Sequence, residues 1–306
     1  MPRPSPLRIA LLPALHLALA ACGLACGGDD GGSGGSGGST TSDTGGGGAT
    51  PAGVGGGSTT GVGGQGAGGA TSTLDCAGLP LCDDFETAAP GGPPDPAVWS
   101  VVSPNCSGTG TLAIDDAHAH SGARSVRIDG GGNYCDHVFI ANSTAIAAVG
   151  AAVHGRFFVR FEDPLGMSHV TFLTLRDENA GGRDLRMGGQ SEILMWNRET
   201  DDATLPSLSP AGIAQSLRPT AGAWHCIEFF VDGPSGVLQT WVDGAAVPGL
   251  QVDATPTPDI DQQWHNQPGW APALSDVKFG WEGYGGQPMT LWVDDIALAA
   301  QRIGCD

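Results

Sequence analysis

The chain has 306 residues, of which 13 are basic and 32 acidic, for a net charge of -19. So acidic a surface excludes nucleic acid as a partner, because phosphate backbones are held by clustered positive charge. All eight Trp, both Tyr and all nine Phe fall after residue 73, so a packed core belongs to the later part of the chain alone.

Residues 1–21 carry Arg3 and Arg8, then the apolar run "IALLPALHLALAA", and Cys22 follows directly. A basic start, a short apolar stretch and small residues before a cleavage point predict a signal peptide rather than a membrane span. The tetrapeptide "LAAC" (Leu19 to Cys22) resembles the bacterial lipobox, in which the Cys becomes the lipidated first residue. The resemblance implies an exported protein, lipid-anchored to the bacterial outer membrane or cell surface, touching the membrane through that anchor only. A plain signal peptide with an incidental Cys22 is the alternative. Residues 22–73 form a Gly/Ser/Thr-rich linker, with 23 glycines among residues 23–73. Such a segment cannot bury enough apolar surface to offset its ordering entropy, so it reads as a disordered tether.

Residues 74–306 form one large domain. Without the two signal arginines the balance is 11 basic against 32 acidic residues, or -21. Six of the ten remaining arginines lie between Arg156 and Arg198, which leaves room for a local basic pocket. Cys76, Cys82, Cys106, Cys135, Cys226 and Cys305 are an even set in an exported domain and predict disulfides. Cys106 with Cys135 is the preferred pair, since both flank neighbouring predicted strands; the order of the other four is left open. Thiolate metal sites are not expected, because no pair has C-x-x-C spacing.

Taken in order, "AVWSVV", "TLAID", "RSVRID", "YCDHVFIAN", "VHGRFFVRFE", "HVTFLTLRD", "QSEILMWN", "WHCIEFFVD", "VLQTWVDG", "DVKFGWEGY" and "MTLWVDDIALA" alternate in polarity between turn residues. About a dozen short strands without a sustained helical period predict an all-β fold, a two-sheet jelly-roll sandwich. In "RFFVRFE", Phe157, Val159 and Phe161 share a face opposite Arg156, Phe158, Arg160 and Glu162. In "VKFGWEGY", Val277, Phe279 and Trp281 oppose Lys278, Glu282 and Tyr284. Read as one strand, "QSEILMWNRE" puts Gln190, Glu192, Leu194, Trp196 and Arg198 opposite Ile193 and Met195. Side by side, these strands predict a concave groove lined by polar and aromatic groups over an apolar back. Two long loops, 198–219 and 251–270, are expected to wall that groove, the second presenting Trp264 and Trp270. With Trp196 and Trp241 these would form a platform for sugar rings.

"CDDFE", "HAHSGARSVRI" and "LWVDDIAL" resemble a pattern of concanavalin-A-like jelly rolls, in which the first and last strands pair and a calcium ion ties them to a turn. The resemblance implies ligands from Glu86, from Asp294 or Asp295, and from oxygens around His120 and Ser121. "RMGGQSEILMWNRE", "WHCIEFF" and "FGWEGYGG" resemble the core domain of the cellulose-induced-protein family, jelly rolls related to glucuronan and alginate lyases. That resemblance implies a polysaccharide partner, one containing uronic acid if the domain is a lyase. Elimination from a uronate needs its carboxylate neutralised, the C5 proton removed and the leaving oxygen protonated. Arg186 and Gln190 would meet the carboxylate, with His169 and Tyr284 moving protons. Glu192, Trp196, Arg198, Trp241, Trp264, Trp270, Lys278 and Glu282 would bind the chain. The "Q-x-H" of those lyases is absent, because Gln190 is followed by Ser191 and Glu192.

Hydrolysis is not expected: the nearest approach to E-x-D-x-x-E is "ETDDAT" at Glu199, which lacks the second Glu. Nor does any G-x-S-x-G supply a serine nucleophile. A non-catalytic adhesin or structural lipoprotein is the alternative from another class.

Overall fold

The computed structural model describes residues 76–104 and 108–306. These lie within the second of two units into which the chain divides, Gly63–Asp306. Fifteen strands run in chain order among them: β1 (Leu81–Asp83), β2 (Ser100–Val102), β3 (Thr111–Asp115), β4 (Ser125–Gly130), β5 (Val138–Asn142), β6 (Ala152–Phe161), β7 (Val170–Asp177) and β8 (Arg183–Gln190). After these come β9 (Ile193–Arg198), β10 (Ala203–Leu205), β11 (Trp224–Asp232), β12 (Val237–Val242), β13 (Ala245–Ala246), β14 (Val277–Gly283) and β15 (Met289–Ala299). Two short helices, α1 (Ala145–Val149) and α2 (Pro210–Ile213), fill connections.

The strands form two antiparallel sheets. The first has the order β13-β12-β11-β6-β15-β4-β3, with β1 pairing β15; the second runs β10-β9-β8-β7-β14-β5-β2. This is the all-β sandwich that the sequence predicts. Leu81 opposite Leu298 and Asp83 opposite Ile296 pair the first strand with the last. Between the sheets the inward residues meet. Phe157, Val159 and Phe161 of β6, with Ile227 and Phe229 of β11, face Phe172, Leu173, Phe279 and Trp281 from the second sheet. Phe157 and Phe279 cross edge to face at 5.0 Å, and Phe161 and Phe172 at 5.3 Å, an arrangement that aligns ring edge with ring face.

Two disulfides among the described residues staple the chain ends. Cys76 bonds Cys82, and Cys226 of β11 bonds Cys305. This supplies the order that the sequence leaves open. Cys135 is also disulfide-bonded; Cys106, its expected partner, lies outside the described residues, as do Cys22 and the expected signal and linker segments.

Two expectations about faces are corrected. First, "QSEILMWNRE" is not one strand. Ser191 and Glu192 adopt φ of 55° and 68° and close a two-residue hairpin, so Gln190 pairs with Ile193. Positive φ at both central residues is the signature of a type I′ turn, whose twist suits antiparallel strands. The turn inverts the parity of everything after it. Trp196 therefore points into the core, fully buried, its Nε1 donating to Thr240 Oγ1 of β12 at 2.9 Å, with Phe229 against its ring. Ile193, Met195 and Asn197 take the outer face instead. Second, the polar faces of β6 and β14 do not adjoin. β6 lies in the first sheet and β14 in the second, so Arg156, Phe158 and Arg160 decorate the opposite side of the sandwich.

A buried indole with a satisfied N–H is a stability element. Trp196→Ala is expected to cost about 3–5 kcal/mol, read as a melting temperature lower by roughly 10 °C or more for a domain of this size.

Candidate functional site

Cross-strand register assembles the outer face of the second sheet. One row runs Asn197, Arg186, Thr174, Lys278, Ala141 and Ser100, taken from β9, β8, β7, β14, β5 and β2. The next runs Met195, Gly188, Thr171 and Glu282. Gly188 has no alternative residue: a Cβ there would lie 1.8 Å from the Val170 carbonyl oxygen, where the β7–β8 pairing bulges. Oγ1 of Thr171 and Thr174, Oδ1 of Asn197 and Nε2 of His169 are buried without a protein hydrogen-bond partner. A buried polar group left unpaired costs about 1–3 kcal/mol, so these four atoms contribute nothing to the stability of the sheet.

At one end of this floor sits a cluster of rings. His169 stacks on Tyr284 with centroids 4.8 Å apart, and the Arg186 guanidinium lies 5.6 Å over the same tyrosine. Tyr134 is 5.2 Å from both Tyr284 and His137. Tyr134 and Tyr284 are 39% and 40% exposed, so part of each ring reaches the surface. The Tyr284 hydroxyl donates to Glu282 Oε1. Burial, and then the nearby Arg186 charge, push His169 down to about 4, leaving it neutral at physiological pH. Burial and the Glu282 carboxylate push Tyr284 well above the usual phenol range.

Beyond Arg186 the floor opens into a cleft of about 790 Å³ lined by Arg183, Asp184, Glu199, Asp276 and Lys278. Its cations are already partnered. Arg186 pairs with Glu199 at 3.0 Å, Arg183 with Glu199 at 3.2 Å, and Lys278 with Asp276 at 2.7 Å and Asp184 at 3.4 Å. Burial raises Asp184, with Lys278 acting the other way.

Of the residues expected to do chemistry, His169, Arg186 and Tyr284 converge, and Gln190 shares their face two positions beyond Gly188 on β8. Of those expected to bind, only Lys278 and Glu282 join them. Glu192 sits at the hairpin tip against Arg218. Arg198 lies at the sheet edge, bonded to Asp201 and to the Trp264 carbonyl, its guanidinium over the rings of Trp264 and Trp270. Those two indoles clasp the 251–270 loop onto the sandwich at 5.2 Å from each other. Trp241 lies on the first sheet beneath Arg302, 4.3 Å away. The expected tryptophan platform is thus dispersed, and the aromatic rings on the outer face of the second sheet are instead Tyr134 and Tyr284. Alternation does not single out Tyr134 or His137, because the run "YCDHVFIAN" reads as strand throughout; residues Tyr134–Asp136 form a 3₁₀ turn that sets Tyr134 against Tyr284 and His137.

The residues expected to hold calcium gather on the first sheet. β15 bulges between Asp294 and Ala297, with Asp295 at φ 48°. Asp294 is fully buried and accepts from the N–H groups of His120 (2.8 Å) and Asp295 (2.8 Å), with no cationic side chain paired to it among the described residues. Burial and adjacent Asp295 push it up to about 8. Ser121 Oγ and His120 Nδ1 meet the Asp295 carboxylate at 2.8 and 2.6 Å, and Glu86 Oε1 takes the N–H groups of Ala123 and Arg124. The donors are hard oxygens, which suits calcium. Among the described residues no three His, Cys, Asp or Glu side chains surround one point, so carbonyl and hydroxyl oxygens would have to complete the shell.

Residues 84–301 match the family model described as "Polysacc_lyase-like: Cip1-like, core domain". The solved structure of "Cellulose induced protein, Cip1" is similar at 38% identity and a TM-score of 0.68, covering 74% of this chain and 100% of that one. A "Sialidase" structure matches at 12% identity and a TM-score of 0.47, over 73% of this chain and 19% of that one. The endo-beta-1,4-glucuronan lyase from the fungus Trichoderma reesei matches at 14% identity and a TM-score of 0.40, over 69% and 94%. At such low identities these last two likenesses carry no argument about activity. No curated protein sequence matches the chain.

The low proton affinity of His169 has a consequence for stability. Its folded value lies below that of the unfolded chain, so the unfolded state takes up the extra proton as pH falls from about 6.5. This residue's contribution therefore destabilises the fold progressively down to about pH 4. Nuclear magnetic resonance should show the His169 ring unprotonated at pH 5.5, with His169→Gln identifying its signal and reducing the acid sensitivity of the melting temperature.

Proposed function

Because the chain belongs to the Cip1-like core-domain family, we propose that it binds a polysaccharide strand along the outer face of its second sheet. The observation that carries this is the pair of half-exposed tyrosines, Tyr134 and Tyr284, above a floor of unpartnered hydrogen-bonding groups. Sugar rings stack their apolar faces on such rings, and fixed polar groups select their orientation.

A second reading is favoured by a specific convergence. His169, Arg186 and Tyr284 come together although they arise from three separate segments, and they are the groups that β-elimination on a uronate requires. Neutral His169 has a vacant nitrogen, Tyr284 presents a half-exposed ring on the same face, and Arg186 offers positive charge over it. Arg186 is shared with Glu199, so a sugar carboxylate would bind by competing for that guanidinium. Calcium, held by Asp294, Asp295, Glu86 and oxygens of the His120–Ser121 turn, would be structural on this reading, since that turn and the site occupy different sheets. The basic, apolar N-terminus and "LAAC" support export and a lipid anchor at Cys22.

Tyr134→Ala is expected to weaken polysaccharide binding about tenfold, as loss of a stacking ring does, while leaving the melting temperature nearly unchanged. Affinity electrophoresis across neutral and uronate polymers measures it; wild-type mobility in every gel would overturn the binding reading. Ultraviolet absorbance of unsaturated uronide products tests elimination. For the ion, EDTA should lower the melting temperature and added calcium restore it, because a ligand of the native state alone stabilises by mass action.

A further inference from the structure

Beneath Tyr284 lies a buried polar pair that the reading above does not use. Glu282, almost wholly buried, accepts the Tyr284 hydroxyl through Oε1, and its Oε2 lies 3.5 Å from Nδ1 of His137. His137 is itself buried, with Nε2 2.5 Å from the Pro104 carbonyl oxygen. A carbonyl oxygen only accepts, so Nε2 carries the hydrogen and Nδ1 is the ring position that gains or loses a proton. The Glu282 carboxylate therefore stands between the phenol that donates to it and the Nδ1 edge of the His137 ring. The tyrosine is half-exposed; the histidine is sealed below it.

We propose that Glu282, backed by His137, is the proton acceptor behind Tyr284, so that the tyrosine works as one member of a relay. The proposal rests on the elimination reading. As Tyr284 Oη takes the proton from C5 of the uronate, its own phenolic proton passes to Glu282 Oε1. The C5 electron pair forms the C4–C5 double bond and the C4–O bond breaks. Tyr284 then gives a proton to the leaving oxygen, and Glu282 returns its proton to Oη. No group gains or loses a proton over the cycle. Without an acceptor, a phenol that already carries its proton could take no second one; Glu282 supplies that acceptor inside the fold, where water does not compete. His137 is a positioning residue here, since it acts through Glu282.

Other charged or ionisable groups around the phenol are accounted for. His169 stacks on it from the segment before β7, Arg186 of β8 lies over its ring, and Tyr134 flanks it from the turn before β5. Glu199 is engaged by Arg186 and Arg183, and Asp184 by Lys278. Glu282 alone accepts from the Tyr284 hydroxyl among the described residues. Burial and the Glu282 charge act together to hold the proton on Tyr284 at rest.

The chain has only two tyrosines, which makes the coupling directly measurable. In the Tyr134→Phe protein, ultraviolet tyrosinate titration reports Tyr284 alone. Adding Glu282→Gln is expected to lower its proton affinity tenfold or more, as removal of a close negative charge does; an unchanged midpoint overturns the relay. Should Glu282→Gln fail to fold, Tyr284→Phe gives an independent measure. Loss of the phenol is expected to move the ¹⁵N shift of His137 Nδ1, and an unmoved shift overturns the proposal. On uronate polymers, Glu282→Gln should lower kcat at least 10²-fold with KM little changed. If the wild-type chain releases no unsaturated product, the elimination reading falls, and the relay with it as catalysis, whatever the titration shows. If activity is present and the Tyr284 midpoint ignores Glu282, the relay alone falls.

Discussion

Side-chain alternation along a strand is the constraint from which the site follows. Each residue of β8 and β9 faces either the other sheet or the outside, and the two-residue turn at Ser191–Glu192 decides which. By pairing Gln190 with Ile193, the turn turns Trp196 inward to meet Phe229 and Thr240, and leaves Asn197 beside Arg186 on the outside. A register slip of one residue would exchange the two faces, burying Asn197 and exposing the indole. The apolar inner layer is thus what holds Arg186, Thr174 and Lys278 in one row.

The outer face gathers charge without being basic. Arg186, Arg183 and Lys278 each have a carboxylate within 3.4 Å, so the cleft is a set of pre-formed pairs rather than a positive trough. For a chain of net charge -19 this has a physical reason: isolated cations would be satisfied by whichever acidic group lay nearest. The rings behave differently. Tyr134 and Tyr284 are half-exposed and pack against each other, with His169 stacked on Tyr284 and Arg186 over its ring.

Much of this was legible in the sequence. The all-β class, the pairing of first and last strands and the inward faces of β6 and β14 came from alternation and from resemblance. Arg186, His169 and Tyr284 were selected by chemical type, and they do converge. Local geometry is not legible there. "QSE" contains no glycine or asparagine to announce a tight turn, so alternation alone places Trp196 on the outer face. Parity within a strand also says nothing about which sheet it joins, hence the separation of Arg156 and Arg160 from Lys278. Large rings suit sugar stacking, but composition does not tell a stacking tryptophan from a packing one. Here Trp264 and Trp270 anchor a loop, with Arg198 over both rings. Tyr134 was hidden in a strand-like run that turns out to begin with a 3₁₀ turn.

Both covalent staples described above sit on the same side of the sandwich. Cys82 lies in β1, which runs along β15, and Cys305 is fastened to β11, so the first and last described segments both adjoin the first sheet. The two tyrosines lie on the outer face of the second. A bead or fused protein attached beside Cys305 would therefore stand on the side of the sandwich away from them.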